Sequence, residues 1–261
     1  MNMELWAATF FAFCRITSFL YFLPFFSGRS IPAMAKVTVG LALSITVGLA
    51  LSITVADQVD VSHIKTVWDV AAYAGTQIVI GLSLSKIVEM LWNIPKMAGH
   101  ILDFDIGLSQ ASLFDVNAGS QSTLLSTIFD IFFLIIFISL GGINYFVATI
   151  LKSFQYTEAI SKLLTTSFLD SLLATLLFAI TSAVEIALPL MGSLFIINFV
   201  LILIAKNAPQ LNVFMNAYVI KITCGILFIA MSVPMLGYVF KNMTDVLLEE
   251  YTKLFNFFLT K

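Results

Sequence analysis

The sequence predicts an all-α membrane protein with about six apolar segments, some kinked or broken, and three observations carry that prediction. Hydrophobic residues fill 60% of the 261 positions and charged residues only 11%, against roughly 45–50% and about 25% in soluble domains. The apolar residues gather in runs long enough, at about 20 residues, to cross a hydrocarbon core as helix. Between two apolar halves lies one polar, glycine-punctuated stretch, Gly99 to Thr123. The organisation read from this is a single membrane domain: a first helical half over 1–98, a central loop over 99–123, a second helical half over 124–240 and an amphipathic tail over 241–261.

The first run, from about Leu5 to Phe26, is broken only by Arg15. It lacks a basic leader and a small-residue cleavage site, so it is expected to stay as a span and not to be removed as a signal peptide. An arginine costs roughly 2.5–3.5 kcal/mol at the centre of an inserted helix. Arg15 must therefore face protein or a polar cavity, or else snorkel to the interface. The segment SGRSIPAMAK follows, with Arg29, Pro32 and Lys36 and no acid; its proline suits the start of the next helix. The uncompensated basic charge favours the cytoplasmic side for this loop.

Val37 to Ala56 carries no charge and contains the octet VGLALSIT twice. Gly40, Ser44, Gly48 and Ser52 thus form one small-residue ridge, and Ala42, Thr46, Ala50 and Thr54 a second. Such ridges let helices approach closely in membranes. After a polar loop over 57–69 comes a span from Val70 to about Ile94 that holds Lys86 and Glu89. Three apart on a helix, these two are expected to pair with each other in preference to binding an ion.

The central segment combines Asp103, Asp105 and Asp115 with Gly99, Gly107, Gly119 and Asn117, but also with Ile106, Leu108, Leu113 and Phe114. The apolar residues argue against disorder. A loop of this length is usually functional, and we place it inside a protein-lined cavity.

Leu124 to Leu151 follows as a long apolar helix, with Asp130 near its start and Gly141–Gly142 as a point of bending or close packing. Ser171 to Ala205 is too long for one straight span, so a kinked helix or a hairpin is expected, with the break near Pro189 to Gly192. Glu185, close to that break, is read first as a water-exposed helix-end carboxylate and second as an ion-coupling group. KNAPQLN at 206–212 is a turn, and Val213 to Phe240 a last apolar helix before the tail.

No catalytic constellation accompanies these spans. A net charge of -2 gives no broad basic face for nucleic acid. Cys14 and Cys224 lie far apart in apolar runs, and His63 and His100 have no ligand partners at metal-binding spacing. P-loop, dinucleotide and nucleophile-elbow patterns are absent. The expectation is a non-enzyme without metal or cofactor.

Three blocks then carry a resemblance: GRSIPAMAKVTVGLALSI, MAGHILDFDIGLSQASLFDVNAGSQSTLLSTIFDIFFLIIF and IAKNAPQLNVFMNAYVIKI. In this order they resemble the FliR family, a subunit of the bacterial flagellar type III export gate, and its SctT-type counterpart in virulence secretion. APQLNVF is closer to the flagellar form. The resemblance implies helical hairpins assembled with several copies of FliP- and FliQ-type proteins, beside a FlhB-type switch protein, around a channel for unfolded flagellar subunits in the bacterial inner membrane. It also implies that a central plug closes the channel, here about Ile106 to Ser122. Ile106, Gly107, Leu108, Leu113, Phe114, Asp115, Asn117 and Gly119 fall in that plug. Val116 stands where a common family form has proline after the aspartate. Arg15, Arg29, Pro32, Lys36, Gly40, Gly48, Pro209 and Asn212 would be assembly or structural positions, and Asp130 and Glu185 lumen or inter-subunit charges.

A rival reading of the same charges is a secondary transporter that couples through Glu185, Asp130 and Arg15 near broken helices. A membrane-embedded enzyme lacks a catalytic group.

Overall fold

A computed structural model of the chain describes residues 3–27, 32–54, 66–108, 123–154, 166–207 and 213–257. Among them the only regular structure is helix: α1 (Met3–Phe22), the single turn α2 (Pro24–Ser27), α3 (Ala33–Thr54), α4 (Val67–Ile106), α5 (Leu124–Ser139), α6 (Gly142–Ser153), α7 (Thr166–Asn207) and α8 (Val213–Phe257). Three of these contain stretches long and apolar enough to cross a membrane, Val67–Ile106, Leu169–Asn207 and Ala217–Thr252. A fourth span results if α5 and α6, bent by 71° at their junction, are taken as one. The chain is an all-α membrane protein.

Local chemistry sets several helix ends. The Pro32 carbonyl accepts from the N–H groups of Ala35 and Lys36, which places the proline at the start of α3 as expected. At the start of α4, the Thr66 N–H donates to Asp69 Oδ2 at 2.8 Å and the Asp69 N–H to Thr66 Oγ1 at 3.3 Å. This reciprocal cap begins the helix three residues before Val70. Gly141 sits at φ +76 between α5 and α6, a left-handed conformation that suits glycine. The long run breaks where the two glycines stand.

Three expectations are corrected. The helix expected to end near Ile94 passes through Pro95 and reaches Ile106, so the first eight residues of the central segment are helical. Of the kinked helix and the hairpin expected around Pro189 to Gly192, the hairpin is excluded, because α7 runs unbroken from Thr166 to Asn207 with Pro189 inside it. The last helix does not end at Phe240, since α8 takes in residues 241–257 of the tail. Proline deletes a single helical hydrogen bond, and Pro95 and Pro189 interrupt neither α4 nor α7. At 40, 42 and 45 residues, α4, α7 and α8 extend for about 60–68 Å at 1.5 Å per residue, roughly twice a hydrocarbon core of about 30 Å.

The chain divides into two compact units that alternate along the sequence: 1–91 with 141–176 and 247–261, and 92–140 with 177–246. In the first unit Arg15 is 1% exposed. Its Nε donates to Gln77 Oε1 at 2.7 Å, its Nη1 donates to the Ser153 carbonyl and to Ser153 Oγ, and its guanidinium lies 4.4 Å from the centre of the Phe154 ring. The planar fork thus ties α1, α4 and the end of α6 together. Of the two readings of Arg15, the protein-facing one holds. Phe146 packs edge-on against both Phe19 and Tyr251, which brings the end of α8 into this core. Gly40 lies on Thr17, where a Cβ would meet Oγ1 at 2.6 Å, and Ser44 beside it is buried. Ala42 and Thr46, on the second ridge, are exposed.

The second unit is built on aromatic rings. Phe129, Phe133 and Phe137, four apart on α5, are all buried because that spacing keeps them on one helix face. Trp92 meets Phe133 at 4.9 Å and Phe137 at 5.1 Å, and Phe240 meets Phe129, Phe132 and Phe133 at 5.6–5.9 Å. Edge-to-face pairs of this kind add about 0.5–1.5 kcal/mol each beyond area burial. Ala179, Ala183 and Ala187 form a buried small-residue ridge on α7.

Gly99 marks the tightest approach in this unit, since a Cβ there would fall 2.5 Å from Ser126 Cα. Gly75, on the same helix, has nothing within 4 Å. Alanine at 99 should therefore destabilise by about 1–3 kcal/mol through overpacking, whereas alanine at 75 should stabilise by about 0.5–1 kcal/mol through helix propensity. Thermal unfolding in detergent should move in opposite directions for Gly99→Ala and Gly75→Ala; shifts of the same sign would contradict the packing.

Candidate functional site

The last turns of α4 and the first turn of α5 form a clamp around the ends of the central loop. Gly99, Asp103 and Ile106 stand at positions i, i+4 and i+7, one face of α4, and Asp103 and Ile106 are fully buried. The first turn of a helix leaves backbone N–H groups without partners. Thr123, the residue before α5, makes no side-chain cap. Asp103 supplies that cap from the neighbouring helix: its Oδ2 accepts the N–H of Leu125 at 2.9 Å and of Ser126 at 3.1 Å, while Oδ1 lies 3.2 Å from the Leu125 nitrogen. A carboxylate at a helix N-terminus is also favoured by the helix dipole. One turn earlier, His100 Nδ1 and Thr123 Oγ1 share a hydrogen bond of 3.0 Å.

On the other side of the loop, α4 ends at Gly107 with φ +95, its N–H donating to the Asp103 carbonyl. Glycine adopts this left-handed exit without strain, and it also admits the Tyr218 ring, whose edge would lie 3.3 Å from a Cβ. Ile106 fills the space above Gly225, its Cδ1 only 2.8 Å from where a Cβ would be. Leu108 is half-buried. Of the predicted plug residues, then, Ile106 is a core contact, and Gly107 and Leu108 form the exit from the helix. Leu113, Phe114, Asp115, Asn117 and Gly119 lie outside the described residues, as do Arg29, Pro209 and Asn212. Gly48 lies on α3.

The intramembrane charges have separate settings. Asp130 accepts from Trp92 Nε1 at 2.8 Å and pairs with Lys96 Nζ at 3.3 Å. Glu185 is exposed near the middle of α7, so it is not the helix-end carboxylate of the first reading. Lys86 and Glu89 pair at 2.6 Å on the surface as expected, an exposed arrangement of little energetic weight. No group of three or more metal-ligating side chains occurs among the described residues.

Sequence reasoning overlooked the capping role of Asp103 and the partners of Asp130. The signal for Asp103 was present in the Gly99/Asp103/Ile106 spacing, which reads as one face only once the helix is carried past Pro95. The Trp92 and Lys96 contacts to Asp130 span more than 30 residues, and no local pattern reveals them.

The sequence profile of the family described as "Bacterial export proteins, family 1" matches residues 6–247. The flagellar biosynthetic protein FliR of Aquifex aeolicus (strain VF5) is 25% identical over 250 residues, covering 95% of this chain and 92% of that protein. The protein of the same name from Bacillus subtilis (strain 168) is 23% identical, covering 94% of this chain and 93% of its own length. That of Escherichia coli (strain K12) is 25% identical, covering 87% and 85%. With an all-helical membrane fold and a family match that spans nearly its whole length, the chain belongs to bacterial export proteins, family 1, as a FliR-family component of the flagellar export apparatus and not an enzyme.

Proposed function

We propose that the chain is a subunit of the flagellar export gate in the bacterial inner (cytoplasmic) membrane, at the base of the flagellum. It assembles with several copies of FliP- and FliQ-type membrane proteins, beside a FlhB-type switch protein. Together they enclose a helical channel for unfolded flagellar subunits, and the central segment from Ile106 to Ser122 plugs the channel when it is closed. Asp130 and Glu185 then serve as inter-subunit or lumen charges.

The observation that supports this reading best is the clamp. Both ends of the loop are fixed to one face of α4, by the Gly107 exit and by the Asp103 cap on α5. Non-helical backbone among apolar helices is tolerated only inside protein or beside water, and apolar side chains on such a loop can close a pore by excluding water. A second observation supports assembly. Long apolar side chains such as Leu177, Phe195, Ile196 and Met231 are exposed on α7 and α8, and lipid or neighbouring subunits must cover them. The transporter reading gains no comparable support, since family membership places the chain in protein export and Asp130 is already engaged with Trp92 and Lys96.

Replacing Leu108, Leu113 and Phe114 together by glycine should raise ion leakage across the membrane of cells expressing the complete export apparatus, while flagellar protein export continues. Leakage at the wild-type level would count against the plug. The clamp gives a finer test. Asp103→Ala removes a helix cap, a loss of about 1–2 kcal/mol, and should raise the closed-state leak roughly 5–30-fold with normal assembly. Asp105→Asn, which touches no cap, should leave the leak unchanged; equal leaks in the two variants would show that Asp103 does not hold the plug.

A further inference from the structure

The first unit contains a recess of about 190 Å³ between α1, α3 and α6, lined by apolar side chains that include Leu20, Leu23, Val39, Leu43, Val47 and Phe146. Apolar cavities of about 150 Å³ stay dry and accept hydrocarbon, so water is not the natural occupant. Val39 on its rim is 38% exposed, so the recess opens to the outside. Lys36, Val39, Leu43 and Val47 follow one another at helical spacing on α3 and share a face. Lys36 is 7% exposed, and its ammonium lies 5.0 Å from the centre of the Tyr21 ring. No carboxylate pairs with it among the described residues.

We infer that this recess holds the acyl chain of an anionic phospholipid whose phosphate sits at Lys36. Two arguments select a lipid over a protein helix. From Lys36 to Val47 is 11 steps along α3, about 16 Å at 1.5 Å per residue. That matches one leaflet of a hydrocarbon core about 30 Å thick. An apolar protein helix would also leave the Lys36 ammonium without a counter-charge, whereas a phospholipid brings charge and hydrocarbon in the required order. The inference is independent of the plug reading.

The test uses the full chain, purified with its accompanying membrane subunits and placed in nanodiscs of equal phosphatidylglycerol and phosphatidylcholine. Lipid retained after mild detergent extraction is counted by native mass spectrometry. We expect one retained lipid per copy of this chain, with phosphatidylglycerol favoured roughly fivefold, the preference that one lysine near an anionic surface provides. Lys36→Gln should bring that ratio close to one while a lipid is still retained. Leu43→Trp, which fills the recess, should abolish retention; if that variant does not assemble, Val47→Phe serves the same purpose. Retention unchanged by the filling variants, or a ratio unchanged by Lys36→Gln, would overturn the inference. So would a cross-link from Val39→Cys to another subunit, since protein would then occupy the recess.

Discussion

The Asp103 carboxylate and the first turn of α5 answer each other's needs. A fully buried carboxylate is strongly disfavoured unless hydrogen bonds replace its lost water, and the first N–H groups of a helix are partners without an acceptor. Asp103 sits where both deficits cancel, accepting from Leu125 and Ser126. The contact forms only because Gly99, one turn earlier, lets α4 come against the α5 backbone with no Cβ between them. The consequence reaches beyond the pair. The end of α4 and the start of α5 are thereby fixed to each other at this point.

The first unit meets its buried charge differently. Arg15 lies in a largely apolar helix and donates to Gln77 and Ser153. Neither of these partners is charged, so the guanidinium stays a net positive group inside the unit, stabilised by oriented dipoles and by the Phe154 ring. Asp103 and Arg15 act alike in one respect: each buried charge ties different helices together. Apolar faces alone cannot fix register in this way, since Leu, Ile and Phe pack almost as well one turn away. The exposed apolar side chains of α7 and α8 carry no such tie, as befits surfaces meant for lipid or for other subunits.

Much of the fold was legible in the sequence because its signals are local. The uncharged run after Lys36 became α3, the paired glycines 141 and 142 became the bend, and the Gly40/Ser44 ridge became a close contact with α1. Pro95 and Pro189 lie inside helices, where the sequence reading ended one span near Ile94 and put a kink or hairpin in the other. Ending that span near Ile94 also hid the face that carries Gly99, Asp103 and Ile106. The remaining site features are non-local: Trp92 to Asp130 and Arg15 to Ser153 are pairings across 38 and 138 residues.

The central claim is that this chain functions only as one part of a larger gate. The most direct measurement is the native mass of the detergent-extracted protein, expressed together with its neighbouring genes, with every co-purifying chain identified. The account predicts a particle that holds this chain with several copies of two small membrane proteins. A monomer, or a symmetric dimer without companions, would contradict it.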